Sequence, residues 1–344
     1  MSKWSILSIA AASVMAITMN AQAGEVKIAL DSPANMEKAG SYVWAHTFAE
    51  ELKKGGMTVK EFPRGALGGE AERLDQVSQG LLEINMADVK SAGKIDKLIF
   101  GLYLPYLFKD NDHQDRAVAH AGLEQMINAK IAKGGVRILA RTLIGPASGI
   151  FNTKRAVMSI KDMSDLQMRA LDENQIALYE AWGSNGTIVA WKEVPNALQT
   201  GVAHGYMNPS FVPVMFGHTD FIKHFTDAKA IVGGRLALAS EDWYQGLSAK
   251  ERGIVDAAAA TATATKANRA WLKKAEPGML KGLEKAGVKI VQLTPEARAE
   301  FEALSKTVYT NGVLSAEQVK IWVDAANATR KRTTKADHES RPRK

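Results

Sequence analysis

Along Glu25–Asp31 apolar and polar residues alternate, with Val26, Ile28 and Leu30 on one side, until Ser32-Pro33 ends the run. Period two predicts a strand. From Glu37 to Lys54 the spacing changes. Tyr42, Val43, His46, Phe48, Ala49 and Leu52 gather roughly on one side of a helix that Gly55-Gly56 stops. A strand over 57–62, a Gly-rich turn over 63–69, a helix over 70–79 and a strand over 81–87 follow. This alternation predicts an α/β fold with mostly parallel sheets flanked by helices. After a strand over 136–142, the chain is expected to cross into a second lobe near Pro146-Ala147-Ser148-Gly149. Strands over 149–156, 164–170 and 187–190 and helices over 172–182 and 192–201 come next. A strand-like run over 228–238 crosses back. Ser248, with Glu251 three residues on, caps a helical stretch to Glu276, where Pro277 should kink or end it. That stretch would be about 40 Å long, more than one small lobe needs. A strand over 289–293 and helices over 295–308 and 316–328 complete the pattern.

Two segments fall outside it. Residues 1–23 carry Lys3, an apolar run over 4–18 and a small-x-small Ala21-Gln22-Ala23. This is the layout of a cleaved secretory signal, and the run is short of the roughly 20 residues that span a bilayer. With no cysteine at the cleavage site there is no lipoprotein anchor, so export to the periplasm without a covalent tether is expected. The other segment, 329–344, is basic, lacks apolar pattern and is expected to be a disordered tail.

Composition then narrows the picture. The 344 residues are 46% hydrophobic and 24% charged, enough for substantial cores, and none is cysteine. Disulfides, thiolate metal sites and a cysteine nucleophile are therefore excluded. The net charge is +7. The signal holds one of these charges and the tail five, leaving the folded body near +1. A nucleic-acid partner gains little support from a charge so placed.

Catalytic signatures are missing. No GxSxG, HExxH, P-loop or GxGxxG occurs, and no cofactor or metal site is expected. Gly65-Ala-Leu-Gly68-Gly69-Glu70 precedes a helix and reads as a tight βα turn, or as backbone N–H groups offered to an anion. Three residues fall at predicted strand ends, where ligands bind in open α/β sheets. Arg169 is either solvent-facing or held in a cleft for a carboxylate, which its planar fork suits. Trp191 packs in the core or against a ligand. Asn208, in Gly-Tyr-Met-Asn-Pro, reads as a turn residue or a ligand contact.

Six segments in order resemble the periplasmic solute-binding proteins of TRAP (tripartite ATP-independent periplasmic) transporters. They are Pro-Arg-Gly-Ala-Leu-Gly-Gly-Glu (63–70), Val-Ser-Gln-Gly (77–80), Leu-Pro-Tyr-Leu-Phe-Lys-Asp (104–110), Ile-Lys-Asp-Met-Ser-Asp-Leu-Gln-Met-Arg (160–169), Glu-Val-Pro-Asn-Ala-Leu-Gln-Thr-Gly (193–201) and Gly-Tyr-Met-Asn-Pro (205–209). The resemblance implies a two-lobed periplasmic-binding-protein-like fold with a long helix spanning both lobes. Lobe I would comprise 24–146 and 235–274, and lobe II 147–234 and 275–328. It implies a monomeric receptor that holds a small organic acid between the lobes and passes it to TRAP permease subunits. Arg169 would bind the carboxylate, Asn208 would help, and Trp191 would pack on the ligand. Asp31 and Asp88 match lining positions of the first lobe. Two positions depart from the pattern: Gly149 stands where a second ligand Arg is common, and His204 where Asp is usual. The rival expectations are an exported hydrolase or lyase of such acids, and a polyanion- or membrane-binding protein acting through the tail.

Overall fold

The computed structural model describes residues 24–264 and 267–330. The signal segment and 331–344 lie outside these. The strands are β1 (Val26–Ala29), β2 (Val59–Phe62), β3 (Ile84–Ala87), β4 (Val136–Leu143), β5 (Ser148–Asn152), β6 (Gln167–Ala170), β7 (Asn185–Ile188), β8 (Gly205–Asn208), β9 (His224–Ile231), β10 (Gly234–Ser240) and β11 (Lys289–Val291). They form two sheets, ordered β2-β1-β3-β10-β4 and β11-β9-β5-β8-β6-β7.

Both sheets are mostly parallel, and each contains one reversed strand. In the first sheet β10 runs antiparallel to β3 and β4. In the second β5 runs antiparallel to β8 and β9. These are the strands by which the chain enters each sheet from the other. β4 ends at Leu143 and β5 begins at Ser148; β9 ends at Ile231 and β10 begins at Gly234. A reversed strand starts where its parallel neighbours end. The first residues of β5 and β10 therefore lie beside the carboxyl ends of the others.

Helices cover both faces of each sheet, so the strands are apolar on both sides, as parallel sheets require. In β10, Leu236 and Leu238 enter one core while Ala237 and Ala239 enter the other. In the second sheet, Met168, Ala170 and Met207 face one core, and Phe151, Tyr206 and Phe225 the other.

Several expectations are corrected. The helix Gly40–Lys54 buries Trp44 and Ala45 with Val43, Phe48 and Leu52. His46 sits at the edge of that face, bonded to Glu61 at 2.8 Å. The run over 228–238 is the end of β9 and most of β10. The stretch 205–208, read as part of a turn, is a buried strand. Helices Val89–Gly93, Asn111–Val118 and Leu123–Ile131 fill a region without a clear sequence pattern.

The single spanning helix is two helices, Ala249–Thr263 and Asn268–Lys285. Its start is as expected: the Ser248 hydroxyl accepts from Glu251 N, and the Glu251 carboxylate from Ser248 N. Its interruption is not at Pro277, which lies inside the second helix. Buried Asn268 explains the restart. Its amide donates to Gly40 O and Leu143 O at 2.8 and 3.0 Å and accepts from Leu143 N at 2.7 Å. That pins the new helix to the point where β4 leaves the first sheet. The last helix, Ala316–Thr329, packs on the first sheet's core, with Trp322 fully buried and donating to Leu98 O at 2.7 Å. The expected lobe II range of 275–328 therefore ends in packing against the first unit.

Candidate functional site

Arg169 sits in β6 between Thr187 of β7 and Tyr206 of β8. Alternation sends Met168 and Ala170 into one core and Arg169 to the opposite face. It is 3% exposed. Its Nε donates to Val189 O at 2.9 Å, and its guanidinium carbon lies 5.5 Å from the centre of the Trp191 ring. No carboxylate lies within 4.0 Å of it among the described residues. Burial holds its pKa below the ordinary arginine value. Tyr179, and then the carboxylates of Asp88, Glu70 and Asp172 at longer range, oppose that shift. It remains a cation at neutral pH.

Trp191 follows β7 and is half-buried in an aromatic group. Tyr206, Phe216 and His218 lie 5.7, 5.2 and 5.1 Å from it, centre to centre. Burial pushes His218 down to about 4, so the ring is neutral, and its Nδ1 is 3.0 Å from the Tyr206 hydroxyl. Asn208 closes β8 and pairs with Gly149 of β5. It is half-buried, and its side chain has no hydrogen-bond partner among the described residues. Two positions on, the buried Ser210 hydroxyl is also unpartnered. Arg169, Trp191 and Asn208 are thus gathered at one edge of the second sheet.

Asp31 and Asp88 follow β1 and β3 and face a different partner. Arg235, second residue of reversed β10, donates to Asp31 at 2.5 Å, Glu70 at 2.7 Å and Asp88 at 3.3 Å. Asp31 also accepts from Ser41 at 2.7 Å. Asp88 caps the helix Val89–Gly93 through Lys90 N and accepts from Tyr103 at 3.3 Å. Burial alone would raise Glu70, but Arg235, Lys90, the Asp88 N–H and Arg73 together bring it to about 2. Burial raises Asp88 despite Arg235. The three acids and Arg235 form one network with a surplus of negative charge. Sequence reading placed Asp31 and Asp88 on this wall but missed Arg235 and Glu70.

The two departures have physical readings. A Cβ at Gly149 would lie 2.4 Å from both the Phe225 ring and Thr226 O, so no side chain fits there without a shift. His204 is bonded in place: its Nδ1 accepts from Gln167 N at 3.1 Å, joining the start of β8 to β6. Arg64, Phe216, His218 and Tyr206 were not singled out by sequence. Arg64 and Tyr206 lie inside quoted motifs, which was their only signal. Elsewhere, a cavity of about 230 Å³ opens beside β4 and the helix Leu123–Ile131. Its arginines, Arg141 and Arg269, already share Asp115, so it lacks a free charge of the kind Arg169 offers. Among the described residues no cluster of three or more His, Asp or Glu could hold a metal ion, and no helix is long and apolar enough to cross a membrane.

Comparison with known proteins agrees with this architecture. Residues 32–315 match the model of the DctP family, bacterial extracellular solute-binding protein family 7, and the chain belongs to that family. A solute-binding protein of Verminephrobacter eiseniae is 30% identical over 260 residues, 73% of this chain and 75% of the relative. Two solved structures share the fold. A TRAP periplasmic solute binding protein from Roseobacter denitrificans, with bound β-D-glucuronate, superposes with TM-score 0.80 at 22% identity, covering 89% of this chain and 99% of that one. The sugar acid binding protein DctPAm from Advenella mimigardefordensis, in complex with galactonate, gives 0.81 at 20% identity, covering 90% and 99%.

Proposed function

We propose that this chain is an extracytoplasmic receptor for a small organic acid, held by its carboxylate on Arg169 between two lobes and handed to TRAP-type permease subunits. One observation carries the reading: Arg169 is buried, charged and without an acidic partner, while the acids of the facing wall are engaged by Arg235. An uncompensated buried charge costs several kcal/mol. A carboxylate ligand supplies the missing compensation with matching bidentate geometry.

Asn208 then donates its amide N–H to the same carboxylate, and Trp191 forms an apolar wall for the ligand's carbon skeleton. Asp31 and Asp88 meet ligand hydroxyls from within the Arg235 network rather than as free acids. The two sheet units, divided near residues 146 and 234, act as the closing bodies. Closure excludes water and strengthens the ion pair. The protein works as a periplasmic monomer after the signal is removed, without cofactor and without chemistry on its ligand. Family membership supports a binding role, and the acids bound by the two structural neighbours support the ligand class.

A thermal-shift screen with small organic acids, uronates and aromatic acids, each beside its neutral amide, tests this. An acid that binds the native state raises the melting temperature by mass action, and its amide is expected not to. Mass spectrometry of the recovered hit is expected to show it intact; turnover would favour the exported hydrolase or lyase instead. No shift from any acid contradicts the receptor reading.

A further inference from the structure

We propose a second small-molecule site, separate from the acid cleft, in the cavity of about 230 Å³ beside β4 and the helix Leu123–Ile131. Its ligand is an uncharged monocyclic aromatic with one hydrogen-bond-accepting oxygen, of the phenol class. The proposal stands apart from the receptor reading.

The cavity adjoins a core of the first unit. Leu102, Ile127 and Leu236 line it from that core, and Val118 and Ile138 from the core's margin. Thr263, the last residue of one spanning helix, and Arg269, the second residue of the next, also line it. It therefore lies at the break between those two helices. It shares no lining residue with the acid cleft.

Its walls are fastened to one another. Asn128 joins the helix Leu123–Ile131 to β4 through both ends of its amide, donating to Ile138 O at 3.2 Å and accepting from Ile138 N at 2.8 Å. Arg269 Nη1 donates to Arg141 O at 2.8 Å. Asp115, in the helix Asn111–Val118, accepts from Arg269 Nη2 at 2.9 Å, from Arg269 Nε at 3.2 Å and from Arg141. Walls tied in this way resist collapse into the space between them. Protein interiors hold few voids wider than a water molecule, so a space of this size calls for an occupant. Its largely apolar lining offers water few of the partners it needs.

Size and chemistry define that occupant. An apolar cavity of roughly 150 Å³ holds a benzene ring, so this one has room for a ring and a small substituent. The charged residues that line it are Arg141, Arg269, Asp115 and Glu124, two of each sign. A charged ligand finds no net counter-charge there and loses its hydration; an uncharged one avoids that cost. Guanidinium groups in the wall favour an aromatic ring over an aliphatic one. One donor remains open. Arg141 is 9% exposed, and its Nη atoms are bonded to Asn111 and Asp115. Its Nε has no hydrogen-bond partner among the described residues. An oxygen on the ring supplies the acceptor.

Calorimetric titration with p-cresol, toluene and benzoate tests the proposal, together with a crystal soaked in 4-bromophenol. p-Cresol is expected to bind, toluene several-fold more weakly for want of the oxygen, and benzoate roughly tenfold more weakly for its charge. Ala119→Trp and Val118→Phe add bulk at lining positions and are expected to weaken p-cresol by about tenfold or more. Arg169→Ala, which alters the acid cleft, is expected to leave p-cresol within about twofold. Melting curves check that the variants are folded, and the soak decides even where one is not: the bromine signal is expected between β4 and the helix Leu123–Ile131. No binding of p-cresol, wild-type affinity in the folded lining variants, or bromine found only beside Trp191 overturns the site. Toluene equal to p-cresol, or benzoate tighter than it, overturns the ligand class. A loss of p-cresol in Arg169→Ala as large as in the lining variants overturns the separation from the acid cleft.

Discussion

Arg169 and Arg235 are both arginines at strand ends, yet their surroundings give them different duties. Arg235 is surrounded by Asp31, Glu70 and Asp88 and holds together the edge of the first sheet. Arg169 has only a backbone carbonyl and an aromatic face, which leaves its fork open. Replacing Arg235 by Met removes the one cation shared by three acids. We expect Arg235→Met to lower stability by about 3–5 kcal/mol, read by denaturant unfolding; a variant as stable as wild type would mean the network is solvated. Arg169 was legible in the sequence only through the order of motifs around it, since a lone arginine in a short strand reads equally as a surface residue. Arg235 was not legible because its partners lie 204, 165 and 147 residues away, and no local pattern encodes contacts of that kind. Asp31 and Asp88 were expected as lining residues through the resemblance, and their shared partner Arg235 was missed for the same reason.

Strands and helices with clear periodicity were readable: β1, β2, β6 and the helix Glu70–Ser78 lie within a few residues of expectation. Elements decided by tertiary packing were not. The break after Thr263 follows from Asn268 bonding to Gly40 and Leu143, contacts that span 228 and 125 residues. The stretch 205–208 looked like a turn because Gly205 and Pro209 frame it, but pairing with β5 and β6 on both sides makes it a strand. Gly149 belongs to this scale too. It lets β5 lie against Phe225, so a methyl group there must displace the ring or the strand. Gly149→Ala is expected to cost about 1–3 kcal/mol, measured as a fall in melting temperature. An unchanged melting temperature would show that the ring gives way freely and that the position is open to larger residues.

At the scale of the whole molecule, the high net charge dissolves into a basic tail and a nearly neutral body, so function turns on where single charges sit. Two carboxyl groups whose pKa values are shifted in opposite directions contribute to how stability follows pH. Glu70, lowered to about 2, contributes stability that is present above its free value of 4.5 and lost as pH falls through 2. Asp172 is raised to about 6, chiefly by burial, and its Oδ2 has no partner among the described residues. Its contribution is full below 3.8 and lost as pH rises through 6, about 3 kcal/mol in all. Asp88, raised in the same direction, adds to it. Between pH 4 and 6 the ionisation of Asp172 should therefore pull the stability of the wild type down relative to that of Asp172→Asn as pH rises. Parallel curves for the two proteins in denaturant unfolding would contradict that assignment. The central claim concerns the other buried charge. Titration calorimetry of wild type and Arg169→Ala, with the tightest-binding acid from the screen, measures it directly. We expect Arg169→Ala to lose about 3–5 kcal/mol of binding, a hundredfold or more in affinity, because the ligand carboxylate is left buried and unpaired. Near-wild-type affinity in that variant would show that the acid is held elsewhere.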